Sequence, residues 1–160
     1  MKKKQALVRK IIAALTEELE RFDKAARASH AEATDPQSKA EHKYDTRGLE
    51  AAYLAGGQAR KVAEIEESIV QYQKLKLVQF GPETPIDCGA LVLIEMRGGA
   101  SWYFVGPRAG GLEIVQEKEE ITVITPQSPL GEQLMEKKQD DKFLFGTGRD
   151  ATQGRIISVK

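Results

Sequence analysis

The sequence has little of what secreted, membrane-spanning or zinc-binding proteins need. Cys88 is the only cysteine among 160 residues, so no disulfide can form within the chain, and a reducing compartment is expected. No apolar run approaches the ~20 residues of a membrane span, and charged residues interrupt any signal-peptide core after the first lysines. His30 and His42, with one remote cysteine, do not form a zinc site. We therefore expect a cytoplasmic protein without a membrane partner.

The chain also lacks a dominant charge and a set of catalytic residues. Lysine and arginine number 24, as do aspartate and glutamate, so there is no net attraction to nucleic acid or membranes. Neither histidine lies in the second half, which therefore offers no Ser/His/Asp or Cys/His set. The segment Gly146–Arg149 is not a phosphate loop, because no Gly-Lys-Ser/Thr follows.

Two mirror-image ladders of apolar and small residues dominate the first half. In each ladder the spacing alternates between four and three residues, which is typical of the seam between two paired helices. The residue numbers of facing positions add up to 80 or 81, so the chain should fold back near Ala40. We predict an antiparallel coiled-coil hairpin whose first helix runs from about Lys4 to Ala33. The ladders are Val8, Ile12, Leu15, Leu19, Phe22, Ala26 and Ser29, and Ala51, Ala55, Gln58, Val62, Ile65, Ile69 and Tyr72.

Four acids crowd the predicted tip of this hairpin: Glu32, Asp35, Glu41 and Asp45. Each has a structural explanation on its own; Glu41, for example, has the spacing of a capping box with Ser38. Together, at the end of a slender arm, they would be able to deliver carboxylates to a distant Mg²⁺, which prefers oxygen ligands.

The distal part of the hairpin is rich in small residues, including Gly56 and Gly57 inside the predicted second helix. Each glycine there costs about 1 kcal/mol relative to alanine. We expect a close approach of the two helices to compensate, although ordinary small-residue packing is an equal alternative. The returning arm is locally basic, which fits a solvated face or contact with RNA or an acidic protein groove. Its basic residues are Lys39, Lys43, Arg47, Arg60 and Lys61.

A change of period after the segment 80–85 divides the chain into two predicted domains, 1–79 and 80–160. Pro82 and Pro85 cannot continue a helix. Beyond them, short apolar or alternating runs separated by glycine-bearing turns predict about six consecutive antiparallel strands. Ser128 and Pro129 open a short helix that we expect to end at Lys137–Lys138. The predicted fold is α+β: a long helical hairpin followed by a small antiparallel sheet domain.

The segment 125–138, with its Ser-Pro-Leu-Gly run, resembles the Ser-Pro-Ile/Leu-Gly...Leu...Lys signature in the C-terminal domain of the bacterial Gre transcript-cleavage factors. Residues 60–66 also resemble that family's second helix. The resemblance implies an FK506-binding-protein-like second domain and bacterial RNA polymerase as the partner. It further implies that the hairpin enters the polymerase secondary channel, near the RNA 3′ end, and stimulates cleavage of backtracked RNA. Such a protein is not itself an enzyme, and it shares the Mg²⁺ of the polymerase instead of holding its own cofactor.

The resemblance also implies site residues. Glu41 and Asp45 are the tip acids that would act in trans and share the Mg²⁺, and the partner-binding residues are Ser128, Pro129, Leu130 and Gly131. An ungapped count places the family's pair of tip acids at Glu41 and Tyr44, and Glu136 stands where a glycine is usual. A secondary-channel regulator without cleavage activity is therefore one alternative, and a coiled-coil protein-interaction or chaperone-like module is another. We expect a monomer.

Overall fold

A computed structural model describes residues 1–34 and 47–160. The first helix, α1, spans Lys2–Thr34, and the second, α2, spans Arg47–Lys74. With 33 and 28 residues they are roughly 50 and 42 Å long, at a rise of about 1.5 Å per residue. The prediction of two long helices is confirmed. The predicted turn near Ala40, with its capping box of Ser38 and Glu41, lies outside the described residues.

Within the described residues, the remainder of the chain forms a six-stranded sheet, one short α-helix and a 3-10 turn at Gly148–Asp150, so the α+β prediction is confirmed. The strands follow the runs of alternating or apolar residues closely, and the helix α3 lies between the fourth and fifth strands. The bounds are β1 Leu91–Met96, β2 Gly99–Val105, β3 Glu113–Gln116, β4 Glu119–Ile124, α3 Pro129–Leu134, β5 Lys142–Phe145 and β6 Thr152–Val159.

The strand order β3-β4-β2-β1-β6-β5 differs from the predicted consecutive antiparallel arrangement, because β2 neighbours β4 instead of β3, and β1 neighbours β6. Strands β2 and β4 are parallel, with Trp102 opposite Ile121 and Val105 opposite Ile124, so the sheet is mixed. The other neighbouring pairs are antiparallel. The hairpin of β3 and β4 explains the exception, because β4 takes the place beside β2 and leaves β3 at the edge.

The main core lies on one face of the sheet, against α3. Tyr103 and Val105 point toward this core, whereas Phe104, fully buried, points to the opposite face, as the pleat requires. Consecutive residues of β2 thus alternate between the two faces of the sheet. The core cluster comprises Phe80, Ile86, Ala90, Val92, Ile94, Val105, Ile124, Leu130, Leu134, Phe143, Ile156 and Val159.

Helix α3 ends at Leu134, earlier than the predicted end at Lys137–Lys138. After the helix the chain pairs with Ile86: the Glu136 amide donates to the Ile86 carbonyl at 3.0 Å, and the Ile86 amide donates to the Lys137 carbonyl at 2.8 Å. Glu136 adopts a left-handed conformation, φ 65°, to make this turn. The tertiary pairing therefore decides the end of the helix, and the prediction from lysine placement was wrong.

The chain divides into two compact units, one made of Met1–Ile11 with Gln71–Lys160 and the other of Ile12–Val70. We predicted instead a single boundary near Phe80, between residues 1–79 and 80–160. That boundary stays a prediction. In the first unit the start of α1 is buried over a broader stripe than the predicted seam. Its fully or almost fully buried residues are Lys4, Leu7, Val8 and Ile11.

The second unit keeps the predicted seam with shallower burial. Leu15 and Ile65 are buried, and Lys61 lies 4.0 Å from Glu18 and 5.9 Å from the Phe22 ring. These contacts match the antiparallel register. Half-buried seam positions are Ile12, Leu19, Phe22, Ala26, Gln58, Val62 and Ile69, while the side chains of Ser29, Ala51 and Ala55 lie outside the described part.

Candidate functional site

The predicted tip acids Glu41 and Asp45 lie outside the described residues, as does Asp35. Their catalytic and metal-binding roles stay predictions. Within residues 1–34 and 47–160, no group of three or more His, Cys, Asp or Glu side chains is placed to hold a metal ion. In the same ranges, no helix is both long and apolar enough to cross a membrane.

The helices that lead to the tip present a polar surface. On α1, Arg27 Nε donates to Asp23 Oδ2 at 2.8 Å, and on α2 Lys61 reaches Glu18 of α1. Gly56 and Gly57 do not provide the close helix approach that we expected. A Cβ atom on either residue would meet no atom within 4 Å, because both face open space.

The Ser-Pro-Leu-Gly run forms the first turn of α3. Ser128 Oγ donates to the Thr125 carbonyl at 2.7 Å and accepts from the Gly131 amide at 3.1 Å, so it closes a turn and caps the helix. Pro129 occupies the first helical turn, where its missing N–H costs nothing. The expected start of the helix is thereby confirmed.

Leu130 and Gly131 are both buried. A Cβ atom at Gly131 would lie 1.9 Å from the Thr125 carbonyl oxygen, so this position requires glycine. The structure therefore explains three residues of the run by folding, and only Pro129 is exposed. The predicted role of the run in partner binding stays a prediction, in which Pro129 and the half-buried Ser128 supply the accessible part.

Lys4 fixes the start of α1 inside the first unit. Its Nζ donates to the carbonyls of Val78, Gly89 and Lys160, the latter two at 3.1 Å, and lies 4.6 Å from the centre of the Phe80 ring. The residue is 3% exposed. Burial lowers the pKa of Lys4 to about 8. Sequence reasoning missed this contact, although Lys4, Leu7 and Ile11 have helical spacing.

The hairpin of β3 and β4 binds the same end of α1. Lys3 Nζ lies 2.7 Å from Glu119 Oε2 and 3.3 Å from Glu117 Oε2, and the hydrogen bond to Glu119 raises the pKa of Lys3. Lys10 Nζ donates to the Val115 carbonyl at 2.8 Å, and Gln116 Nε2 donates to the Lys3 carbonyl at 3.1 Å. Lys10 thus occupies the Val115 carbonyl of the edge strand β3, which protects this edge from pairing with a strand of another chain.

Tyr72 and Cys88, two side chains of the first unit that can act as nucleophiles, are held in unreactive forms. Burial raises the pKa of Tyr72, whose hydroxyl donates to the Arg108 carbonyl at 2.8 Å. Burial, and secondarily Asp87, raise the pKa of the Cys88 thiol. A reactive cysteine needs a lowered pKa, so Cys88 has the properties of a structural residue.

One open cavity of about 150 Å³ lies at the ends of β1, β5 and β6. Its lining mixes both charges, with Glu95 beside Lys142 and Arg155. Small-molecule sites are mostly apolar and about 300 to 1,000 Å³ in volume. The cavity is therefore too small and too polar for such a site.

A comparison with protein-family models and with curated proteins finds no match. Among solved structures, the chain is similar to GreA factor homolog 1 (Gfh1) of Thermus thermophilus, with 19% identity, a TM-score of 0.37 and coverage of 93% of this chain and 94% of that one. It is similar to Gfh1 of Thermus aquaticus at 18% identity and a TM-score of 0.38, covering 92% of each chain.

A third similar structure is the prokaryotic transcription elongation factor GreA/GreB from Nitrosomonas europaea, with 12% identity, a TM-score of 0.33 and coverage of 60% of this chain and 78% of that one. The solved structures that resemble this chain thus include Gre-type proteins.

Proposed function

We propose that the chain is a Gre-like transcription elongation factor that binds bacterial RNA polymerase and stimulates cleavage of backtracked RNA. The hairpin enters the secondary channel of the polymerase, and Glu41 and Asp45 reach the active site near the RNA 3′ end. The observation that carries this proposal is the pairing of two long helices on either side of a segment that is rich in carboxylates. The protein would act as a monomer in the cytoplasm.

The chemistry of the tip supports this role. Mg²⁺ takes oxygen ligands and is often held by only one or two carboxylates together with substrate oxygens. In phosphodiester hydrolysis, bound Mg²⁺ polarises a phosphoryl oxygen and helps to generate the attacking hydroxide. Glu41 and Asp45 would supply ligand oxygens and orient water for a reaction whose other components belong to the polymerase. The protein would therefore not be an enzyme on its own.

Contacts within the first unit, at the start of α1 and the end of α2, also support the proposal. Lys4 and Lys10 fix the start of α1 to backbone carbonyls, and Tyr72 fixes the end of α2 to the Arg108 carbonyl. The exposed Pro129, presented by the Ser128 turn, would contribute to polymerase docking. Neither Tyr72 nor Cys88 has the lowered pKa of an activated nucleophile, so the chemistry is assigned to the tip.

A second candidate is a regulator that occupies the secondary channel without stimulating cleavage. The observation that favours it is Tyr44, which stands where an ungapped count places the second tip acid. Asp45 is adjacent in sequence, so the two candidates differ in whether Asp45 can replace an acid at position 44.

The test uses stalled elongation complexes of bacterial RNA polymerase with Mg²⁺. Adding the wild-type protein should shorten the RNA from its 3′ end, whereas the variant carrying Glu41→Ala and Asp45→Ala should bind the polymerase and leave the RNA intact. A control with Glu32→Ala and Asp35→Ala removes the same charge near the tip and should retain cleavage.

Each other outcome identifies a different function. Binding of the wild-type protein without any RNA shortening would support the channel-occupying regulator. Loss of cleavage in both double variants would show that general negative charge matters and not the Glu41 and Asp45 pair. Failure to bind polymerase would overturn both candidates and favour a protein-interaction or chaperone-like module.

A further inference from the structure

Helix α2 contains a segment, Gly56–Gln58, in which three residues in a row are unfavourable for a paired helix. Gly56 and Gly57 lie inside an unbroken helix and are exposed. Apart from proline, glycine is the least favourable residue in a helix interior, because it loses the most backbone freedom on folding. Two adjacent glycines make this the weakest propensity in the described part of α2.

The common reasons for glycine in a helix do not apply here. A Cβ atom at Gly56 or Gly57 would have nothing within 4 Å, so neither residue allows a neighbouring backbone to approach. Neither residue has the positive φ angle that favours glycine. Alanine would therefore fit at both positions without a change of backbone or packing.

Gln58 adds an independent weakness on the opposite, seam-facing side of the same turn. Its Oε1 atom is buried and has no hydrogen-bond partner in the described structure. A buried acceptor without a partner loses its hydration and gains nothing in return. At Ile65, two turns further on, the same seam holds a buried apolar residue. The seam is thus well packed at Ile65 and unfavourable at Gln58.

We propose that Gly56–Gln58 is a hinge in α2, where the helix opens locally while the helix between Val62 and Ile69 stays closed. Opening releases the backbone of both glycines and lets water reach Gln58 Oε1. Closing restores the helical hydrogen bonds, but the glycines lose their backbone freedom and Gln58 Oε1 loses its hydration. The hinge belongs to the helix itself and does not depend on the proposed role at RNA polymerase.

The test is hydrogen exchange of the full chain, measured by mass spectrometry with fragments that separate residues 56–60 from residues 62–69. In the wild-type protein, amides of the first group should exchange at least about tenfold faster than those of the second group. In the double variant Gly56→Ala with Gly57→Ala, exchange at residues 56–60 should slow by about 20-fold, or between fourfold and fivefold for each glycine. Gln58→Leu should slow it several-fold independently.

Ala63→Gly is the matched control, because Ala63 is exposed on the same helix. It should speed exchange around residue 63 by about fivefold. When it is introduced into both the wild type and the double alanine variant, the difference between these two proteins at residues 56–60 should stay unchanged. Equal protection of the two groups in the wild-type protein would overturn the hinge. An unchanged exchange rate in the double alanine variant would overturn it as well.

Discussion

The unit formed by residues 1–11 and 71–160 and the unit formed by residues 12–70 are stabilised in different ways. In the first, Phe104, Ile121 and Val123 are fully buried, and Lys4 binds three backbone carbonyls. In the second, most described seam residues are half-buried, and the ion pairs Arg27–Asp23 and Lys61–Glu18 are exposed or half-exposed, so they contribute little to stability. Stability is therefore concentrated in the sheet unit. The helical unit is less stable, as is common for elements that move or bind.

The largest expected effect comes from truncating one phenylalanine in each unit. Phe104→Ala removes a fully buried ring and should lower the free energy of unfolding by about 3 to 5 kcal/mol. Phe22→Ala removes a half-buried ring, with the Lys61 ammonium 5.9 Å from its centre, and should cost only about 1 kcal/mol. Urea unfolding followed by Trp102 fluorescence and by circular dichroism measures both variants. Equal losses would refute the difference between the units.

A smaller effect, of opposite sign, is expected at the turn after α3. Glu136 has φ 65°, a conformation that costs about 1 to 2 kcal/mol for a residue with a side chain and little for glycine. Glu136→Gly should therefore raise the free energy of unfolding by about 1 kcal/mol, after the loss from greater freedom in the unfolded chain. Thermal unfolding checks it, with Glu132→Gly inside α3 as a control that should destabilise. A lower melting temperature for Glu136→Gly would show that the turn is not strained.

The last prediction concerns the pH dependence of the free energy of unfolding. The contribution of Lys4 to this free energy changes only in alkaline solution. Between pH 8 and 10.5 the unfolded chain holds a proton on Lys4 that the folded chain has released, so unfolding takes up a proton. Rising pH therefore favours the folded state over this range. The free energy of unfolding of the wild type, minus that of Lys4→Met, should rise from pH 8 to 10.5. The raised pKa of Tyr72 affects both proteins and cancels in the difference.

The pH series has its own contradicting result. If the difference between wild type and Lys4→Met stays constant over that range, the pKa of Lys4 is the same in the folded and unfolded states, and the three carbonyls offset the effect of burial. A fall in the difference would mean that Lys4 is charged and stabilising throughout.

Much of the fold follows from local patterns in the sequence. The alternation of three and four residues predicts both helices and their antiparallel register, which the contact between Lys61 and Glu18 confirms. The two-residue period predicts the strands, and Ser128 with Pro129 predicts the start of α3. Each of these features depends on residues close in the chain, or on two helices matched along their whole length.

The errors arise where distant segments decide the outcome. Nothing within β2 or β4 specifies that they pair in parallel, and nothing before Lys137 shows that Ile86 will end α3. The three lysines at the start look alike in sequence, and only the packing of α1 makes Lys4 the buried one. For the site, the sequence nominated Glu41 and Asp45, which lie outside the described residues. Leu130 and Gly131 proved to have folding roles that a motif cannot reveal.

The most direct test of the central claim is the length of the RNA in a single stalled elongation complex, with the wild-type protein and with the Glu41→Ala and Asp45→Ala variant at saturating concentration. We predict 3′-end shortening with the wild type and none with the variant, while both proteins remain bound. RNA of unchanged length with bound wild-type protein, or equal shortening by both proteins, would contradict it.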